Sequence, residues 1–106
     1  MGSGFSFSAL VPTDVTLLSL SYFNDLMDHD PQTVQATSVA GPPMSRMGKA
    51  MKDVGQAQPN LTDIYYQTLS GAISTSTHVT SVGFTSYSGC VTGQKLVTAP
   101  WRGARQ

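Results

Sequence analysis

Residues 60–73 read Asn60-Leu61-Thr62-Asp63-Ile64-Tyr65-Tyr66-Gln67-Thr68-Leu69-Ser70-Gly71-Ala72-Ile73. Leu61, Ile64, Tyr65, Thr68, Leu69, Ala72 and Ile73 fall at i, i+3, i+4, i+7, i+8, i+11 and i+12, the spacing of one face of an α-helix. Asn60 stands where an N-cap belongs, and Asp63 takes the capping-box position, where Glu or Gln is the usual residue. The spacing predicts a helix over 61–73 that buries Leu61, Ile64, Tyr65, Leu69 and Ile73.

Upstream, Met44, Met47, Met51 and Val54 repeat at helical spacing, with Arg46, Lys49, Lys52 and Asp53 off that stripe. A short amphipathic helix is predicted, ended by Gly55. Its methionine stripe could meet a membrane, but Met is also a flexible core filler, and no aromatic lies on that face. The core reading is preferred. Further upstream, Leu17, Leu18, Leu20, Tyr22, Phe23, Leu26 and Met27 follow Thr13 as a cap and Asp14 in a first turn. A helix is favoured here and stops at Asp28-His29-Asp30-Pro31, although Val15, Leu17, Ser19 and Ser21 also alternate as a strand would.

Downstream the residue types change. Thr77 to Tyr87 is rich in Thr, Val, Phe and Tyr, and Cys90 to Val97 offers a second strand beyond the Ser88-Gly89 turn. Both ends read as arms. Phe5 and Phe7 alternate with Ser6 and Ser8, and Pro100-Trp101-Arg102 leaves the body extended. The expected architecture is a small α+β fold. It has two or three short helices followed by a Thr/Ser-rich strand pair, with extended N- and C-terminal arms. The chain is a single small domain: arm 1–12, helical part 13–73, strand-rich part 74–98 and tail 99–106.

Composition narrows the function classes. The 106 residues carry 6 basic and 6 acidic side chains, and only 11% are charged. A net charge of zero favours association over a free monomer. At 40% hydrophobic, the chain is too apolar for ordinary disorder. A single cysteine, Cys90, excludes an internal disulfide and a Cys-rich zinc site. No basic segment precedes an apolar run at the N-terminus, so secretion is not expected.

No catalytic set emerges. Cys90 and His78 could form a thiol–imidazole pair, but no signature surrounds it, and an inert thiol is the plainer reading. Asp25, Asp28, His29 and Asp30 are the densest polar cluster, but they lack an EF-hand pattern, and the chain has no Glu to close one. Gly2-Ser3-Gly4 and the Gly89–Gly93 stretch fit no phosphate-loop spacing. No catalytic residue, metal ligand or cofactor is assigned.

Two short stretches carry a resemblance. Met1-Gly2-Ser3-Gly4-Phe5-Ser6 fits the N-myristoylation pattern and resembles the start of the small internal capsid protein of picornavirus-like virions. Those proteins are also short, rich in small polar residues and weakly charged. Gln106 as the last residue resembles a viral polyprotein cut. Pro100-Trp101-Arg102-Gly103-Ala104-Arg105-Gln106 is similar to a stretch of the adenovirus hexon-cementing protein.

The resemblance implies a non-enzymatic minor or internal capsid component of a virion. It would pack against larger structural subunits and be lipidated at Gly2. Phe5, Phe7, Trp101, Arg102 and Arg105 would be its partner-binding residues. The tail would contact nucleic acid as a second reading, and a membrane would be met only if Gly2 is acylated. The alternative is a small non-catalytic accessory subunit or adaptor in the cytoplasm.

Overall fold

The computed structural model describes residues 1–98. Among them, regular elements follow one another as β1 (Leu26–Asp30), β2 (Gln35–Ser38), α1 (Met44–Asp53) and α2 (Leu69–Ser74). A 3-10 turn, Tyr87–Cys90, comes after α2.

β1 and β2 form an antiparallel hairpin that pairs Leu26 with Ser38 and Asp30 with Gln35, with an irregularity between Leu26 and Asp28. Asp30 builds its turn. Its Oδ1 accepts from the Gln32 N–H at 2.8 Å and its Oδ2 accepts from the Thr33 hydroxyl at 2.8 Å. The Thr33 hydroxyl, then the Gln32 N–H, hold the Asp30 carboxyl below the usual aspartate value. The expected helix over 13–27 is therefore replaced at its end by strand β1. Residues 15–20 are irregular.

α1 forms where the methionine stripe predicts it. Met44, Met47 and Met51 are its buried residues. Its first N–H groups would be orphaned, since Pro43 offers no side-chain cap. Carbonyls from elsewhere serve them: Met44 N–H donates to Gln67 at 2.8 Å and Ser45 N–H to Tyr65 at 3.0 Å. At the other end Gln56 N–H donates to Met51 and Gly55 N–H to Lys52, a Schellman closure that needs the positive φ of Gly55.

The predicted helix over 61–73 is only its last turn and a half. Thr68 is the N-cap of α2, its hydroxyl accepting from Gly71 N–H at 3.3 Å. Upstream the chain is a loop in which Leu61, Ile64 and Tyr65 are exposed. Side chains hold it: Thr62 Oγ1 donates to the Ile64 carbonyl at 2.9 Å, and Asn60 Nδ2 to the Thr85 carbonyl at 2.9 Å. Such bonds compete with helical ones. Among the described residues, Thr77–Tyr87 forms no strand.

The core is small. Met44, Ala72 and Tyr87 are buried together, with Leu69 and Ile73 packed against them. Many large apolar side chains remain exposed, among them Phe7, Val15, Tyr22 and Val82. No helix among the described residues is long and apolar enough to cross a membrane.

Candidate functional site

Ala40–Met44 is tied to the Gln67–Ser70 segment by backbone hydrogen bonds. Ser70 N–H donates to Ala40 at 3.1 Å, Leu69 N–H to Pro42 at 2.8 Å, and Pro43 and Thr68 form an isolated antiparallel bridge. This ladder fixes the Gln67–Gly71 segment. On its other side, the Leu20–Phe23 turn presses so closely on Gly41 that a Cβ there would overlap the Leu20 and Phe23 carbonyl oxygens.

The N-terminal glycines fold onto the fixed segment. Ser3 Oγ donates to the Tyr66 carbonyl, 63 residues away. A Cβ on Gly2 would lie 3.0 Å from Thr68 Oγ1, and a Cβ on Gly71 would lie 3.0 Å from the same oxygen. Gly4 has φ +74°, a conformation L side chains rarely adopt. Two glycine-bearing stretches thus meet around one hydroxyl, with Ser3 and Gly4 exposed and Gly2, Thr68, Ser70 and Gly71 half-buried. This is the kind of surface a phosphate-bearing ligand can approach, because no Cβ keeps it from backbone N–H groups.

Sequence reading missed this cradle. Gly2-Ser3-Gly4 fits no phosphate-loop spacing by itself. Its partner, Thr68-Leu69-Ser70-Gly71, lies far along the chain. Only the fold joins them.

Two cavities lie elsewhere. One, of about 340 Å³, sits between the start of β1 and α1, beside the Arg46–Asp25 ion pair of 2.8 Å. The other, an open depression of about 450 Å³, is lined by the Gln58–Asp63 loop, Tyr65, Val79 and Phe84.

The residues singled out in the sequence are placed as follows. Gly2 lies against Thr68. Phe5 and Phe7 are exposed. Trp101, Arg102 and Arg105 lie outside the described residues. Asp25 pairs with Arg46, Asp28 Oδ1 accepts from the His29 N–H at 2.8 Å and Asp30 builds its turn, so each acid is engaged locally. Among the described residues no group of three or more His, Cys, Asp or Glu converges on a metal position. Cys90 Sγ donates to the Ser86 carbonyl at 3.6 Å, and His78 is exposed.

Known proteins are similar to this chain over most of its length. The family profile described as FAD binding domain matches residues 1–100. L-gulono-1,4-lactone dehydrogenase of Mycobacterium tuberculosis, in strains CDC 1551 / Oshkosh and ATCC 25618 / H37Rv, is 29% identical over 99 residues. That stretch is 93% of this chain and 23% of the relative, so the chain spans about a quarter of the curated relatives' length. No solved structure matches with significance.

These matches overturn the capsid reading. The myristoylation-like start and the tail echo rest on a handful of residues, whereas the profile covers nearly the whole chain. The picornavirus and adenovirus resemblances, the virion localisation and the non-enzymatic role are withdrawn with it. So is the non-catalytic adaptor. A composition poor in charge was read as a sign of assembly; a cofactor-binding chain can share it.

Proposed function

The chain belongs to the FAD binding domain family, and we propose that it forms part of the cofactor-binding region of an FAD-dependent oxidoreductase acting on a sugar-derived alcohol or lactone. The observation that carries the reading is the meeting of Gly2 and Gly71 on the Thr68 hydroxyl. The two glycines let backbone come close to one hydroxyl, and the diphosphate of FAD needs close backbone approach and neutral hydrogen-bond donors. The substrate class comes from the dehydrogenase relatives, which are named for a sugar lactone.

In this reading the backbone N–H groups of Gly2–Gly4 and the Thr68 hydroxyl would hold the diphosphate, since the N–H groups of Ser70 and Gly71 and the Ser3 hydroxyl are already engaged. Bound FAD supplies the acceptor for two electrons. The protein residues contribute position. Thr68 is fixed by its bond from Gly71 N–H and by the Pro43 bridge, so the cradle is pre-formed by the ladder rather than by the ligand. The segment carries no Lys or Arg between Met1 and Arg46, so binding relies on N–H and O–H donors instead of ion pairs.

Titration of the purified chain with FAD tests this. Flavin fluorescence should change saturably, and the backbone amides of Gly2–Gly4 and Thr68–Gly71 should shift in ¹⁵N spectra. FAD that leaves those amides unmoved would overturn the assignment.

A further inference from the structure

Phe7 finds no packing in its own fold. Its ring is exposed as fully as in an extended peptide. The chain holds it there. Ser3 Oγ donates to the Tyr66 carbonyl, and Gly4 turns the backbone at φ +74°. Beyond that turn, Ser8 N–H donates to Ser6 Oγ at 3.2 Å and Leu10 N–H to the Ser8 carbonyl at 2.8 Å. Among the described residues, the hydrogen bonds of 6–10 stay within the segment. Phe7 thus stands on a locally bonded arm. The other wholly exposed apolar side chains suit an anchor less well, since Val82 and Val97 are smaller and Tyr22 ends in a hydroxyl.

The same chain carries a hole for such a ring. Leu61, Tyr65 and Phe84 line the open depression of about 450 Å³. All three are exposed, so their apolar surface can be reached from outside. Small-molecule sites enclose most of their ligand, which an open depression does not. It suits a ring carried in on another surface, where Tyr65 and Phe84 offer edge-to-face or offset packing. Asp63 is the acid on the wall, and residues 2–13 are uncharged, so the arm brings nothing that Asp63 repels. Phe7 does not line the depression of its own chain.

Area and charge point to the occupant. The chain exposes 8523 Å², about half again the roughly 5,700 Å² expected of a free folded chain of 11.2 kDa. That excess is more than the roughly 800 Å² each partner gives to a standard interface. A net charge of zero leaves two copies without mutual repulsion. Each copy has one arm and one depression, so a two-fold pairing seats both arms at once and closes. We propose that a second copy of this chain is the partner, with Phe7 of each copy inserted between Tyr65 and Phe84 of the other.

Sedimentation of the purified chain from micromolar to near-millimolar concentration tests this. The mass should rise from one chain to two and stop there. Phe7→Ser and Phe84→Ser should each weaken pairing by roughly tenfold or more, as loss of an interface anchor does. Both side chains are exposed, so these changes spare the monomer fold. Tyr22→Ser, an equally exposed ring elsewhere, should leave pairing unchanged. An equimolar mixture of Phe7→Ser and Phe84→Ser regains one intact arm and one intact depression, and it should pair more tightly than either variant alone. A single-chain mass throughout, growth beyond two chains, indifference to Phe7→Ser, an equal effect of Tyr22→Ser, or a mixture no tighter than its components would overturn the proposal. The pairing asks nothing of FAD, so its failure leaves the flavin reading untouched.

Discussion

A Cβ placed on Gly41 would overlap the carbonyl oxygens of Leu20 and Phe23, both nearer than the 3.0 Å that real Cβ atoms respect. Both oxygens belong to backbone, so neither can swing aside as a side-chain end could. Gly41 therefore sets how closely the Leu20–Phe23 turn approaches the strand-like Ala40–Met44 segment that carries the cradle. Gly41→Ala should destabilise the fold by about 3 kcal/mol, the upper end of overpacking costs. Thermal unfolding followed by circular dichroism checks this. A variant as stable as the parent would show that the turn is free to move.

The methionine stripe of α1 and the apolar spacing of residues 61–65 look alike in sequence, but they have opposite fates. Met47 is buried, and Leu61 is 51% exposed. Met47→Ala should cost roughly 2–5 kcal/mol. Leu61→Ala should stay within about 1 kcal/mol, as surface changes usually do. Equal losses in denaturant titrations would contradict this division.

That contrast shows what the sequence could reveal. The Met44/Met47/Met51 stripe was legible because nothing local competes with its helix. The Leu61–Tyr65 stripe was not, because Asn60 and Thr62 side chains engage backbone carbonyls at Thr85 and Ile64. The Tyr65 and Gln67 carbonyls, meanwhile, serve the start of α1. Residues 15–23 offered both periods, and neither is realised among them. The cradle was illegible for a different reason. Gly2 and Gly71 acquire meaning only at Thr68 Oγ1, and a contact spanning the helix, the hairpin and two loops leaves no local spacing to read.

Tyr87 links the core to alkaline stability. Burial raises its hydroxyl above the ordinary tyrosine value of 10.0, and negative charge at Cys90 adds to the shift. The unfolded chain ionises this tyrosine first, so its contribution is fully present below about pH 10 and is lost as pH rises beyond it. The parent should thus lose midpoint temperature steeply above pH 10. Tyr87→Phe should lose less over the same window, because nothing is left to ionise at that position. Parallel pH profiles would remove Tyr87 as the cause.

Ser76 closes α2 with φ +50°, in the left-handed region. Thr77 N–H donates to Ala72 and Ser76 N–H to Ile73 across this closure. An L side chain there is strained by roughly 1–2 kcal/mol, and glycine is not. Ser76→Gly should therefore raise stability, by about 1 kcal/mol at most once the 3.2 Å contact with the Ser88 hydroxyl is lost. A lowered midpoint would show that the Ser76–Ser88 contact outweighs the backbone strain.

Thr68 has two separable duties, and a pair of substitutions divides them. Its Oγ1 accepts from Gly71 N–H and caps α2, and the same oxygen stands between the Gly2 and Gly71 backbones. Thr68→Ser keeps the oxygen and removes a methyl. It should retain the cap, the stability and FAD binding. Thr68→Val keeps the shape and removes the oxygen. Loss of the cap should cost about 1 kcal/mol, a fall of about 4–8 °C in midpoint for a domain of this size. In the cradle, the Thr68→Val change would also turn an apolar methyl toward the place assigned to the diphosphate. FAD affinity should then fall by about tenfold for each 1.4 kcal/mol of lost hydrogen bonding. Flavin fluorescence, read below the midpoint of each variant, separates the two effects. If Thr68→Val binds FAD as tightly as the parent while unfolding earlier, Thr68 is a helix cap alone and the diphosphate lies elsewhere.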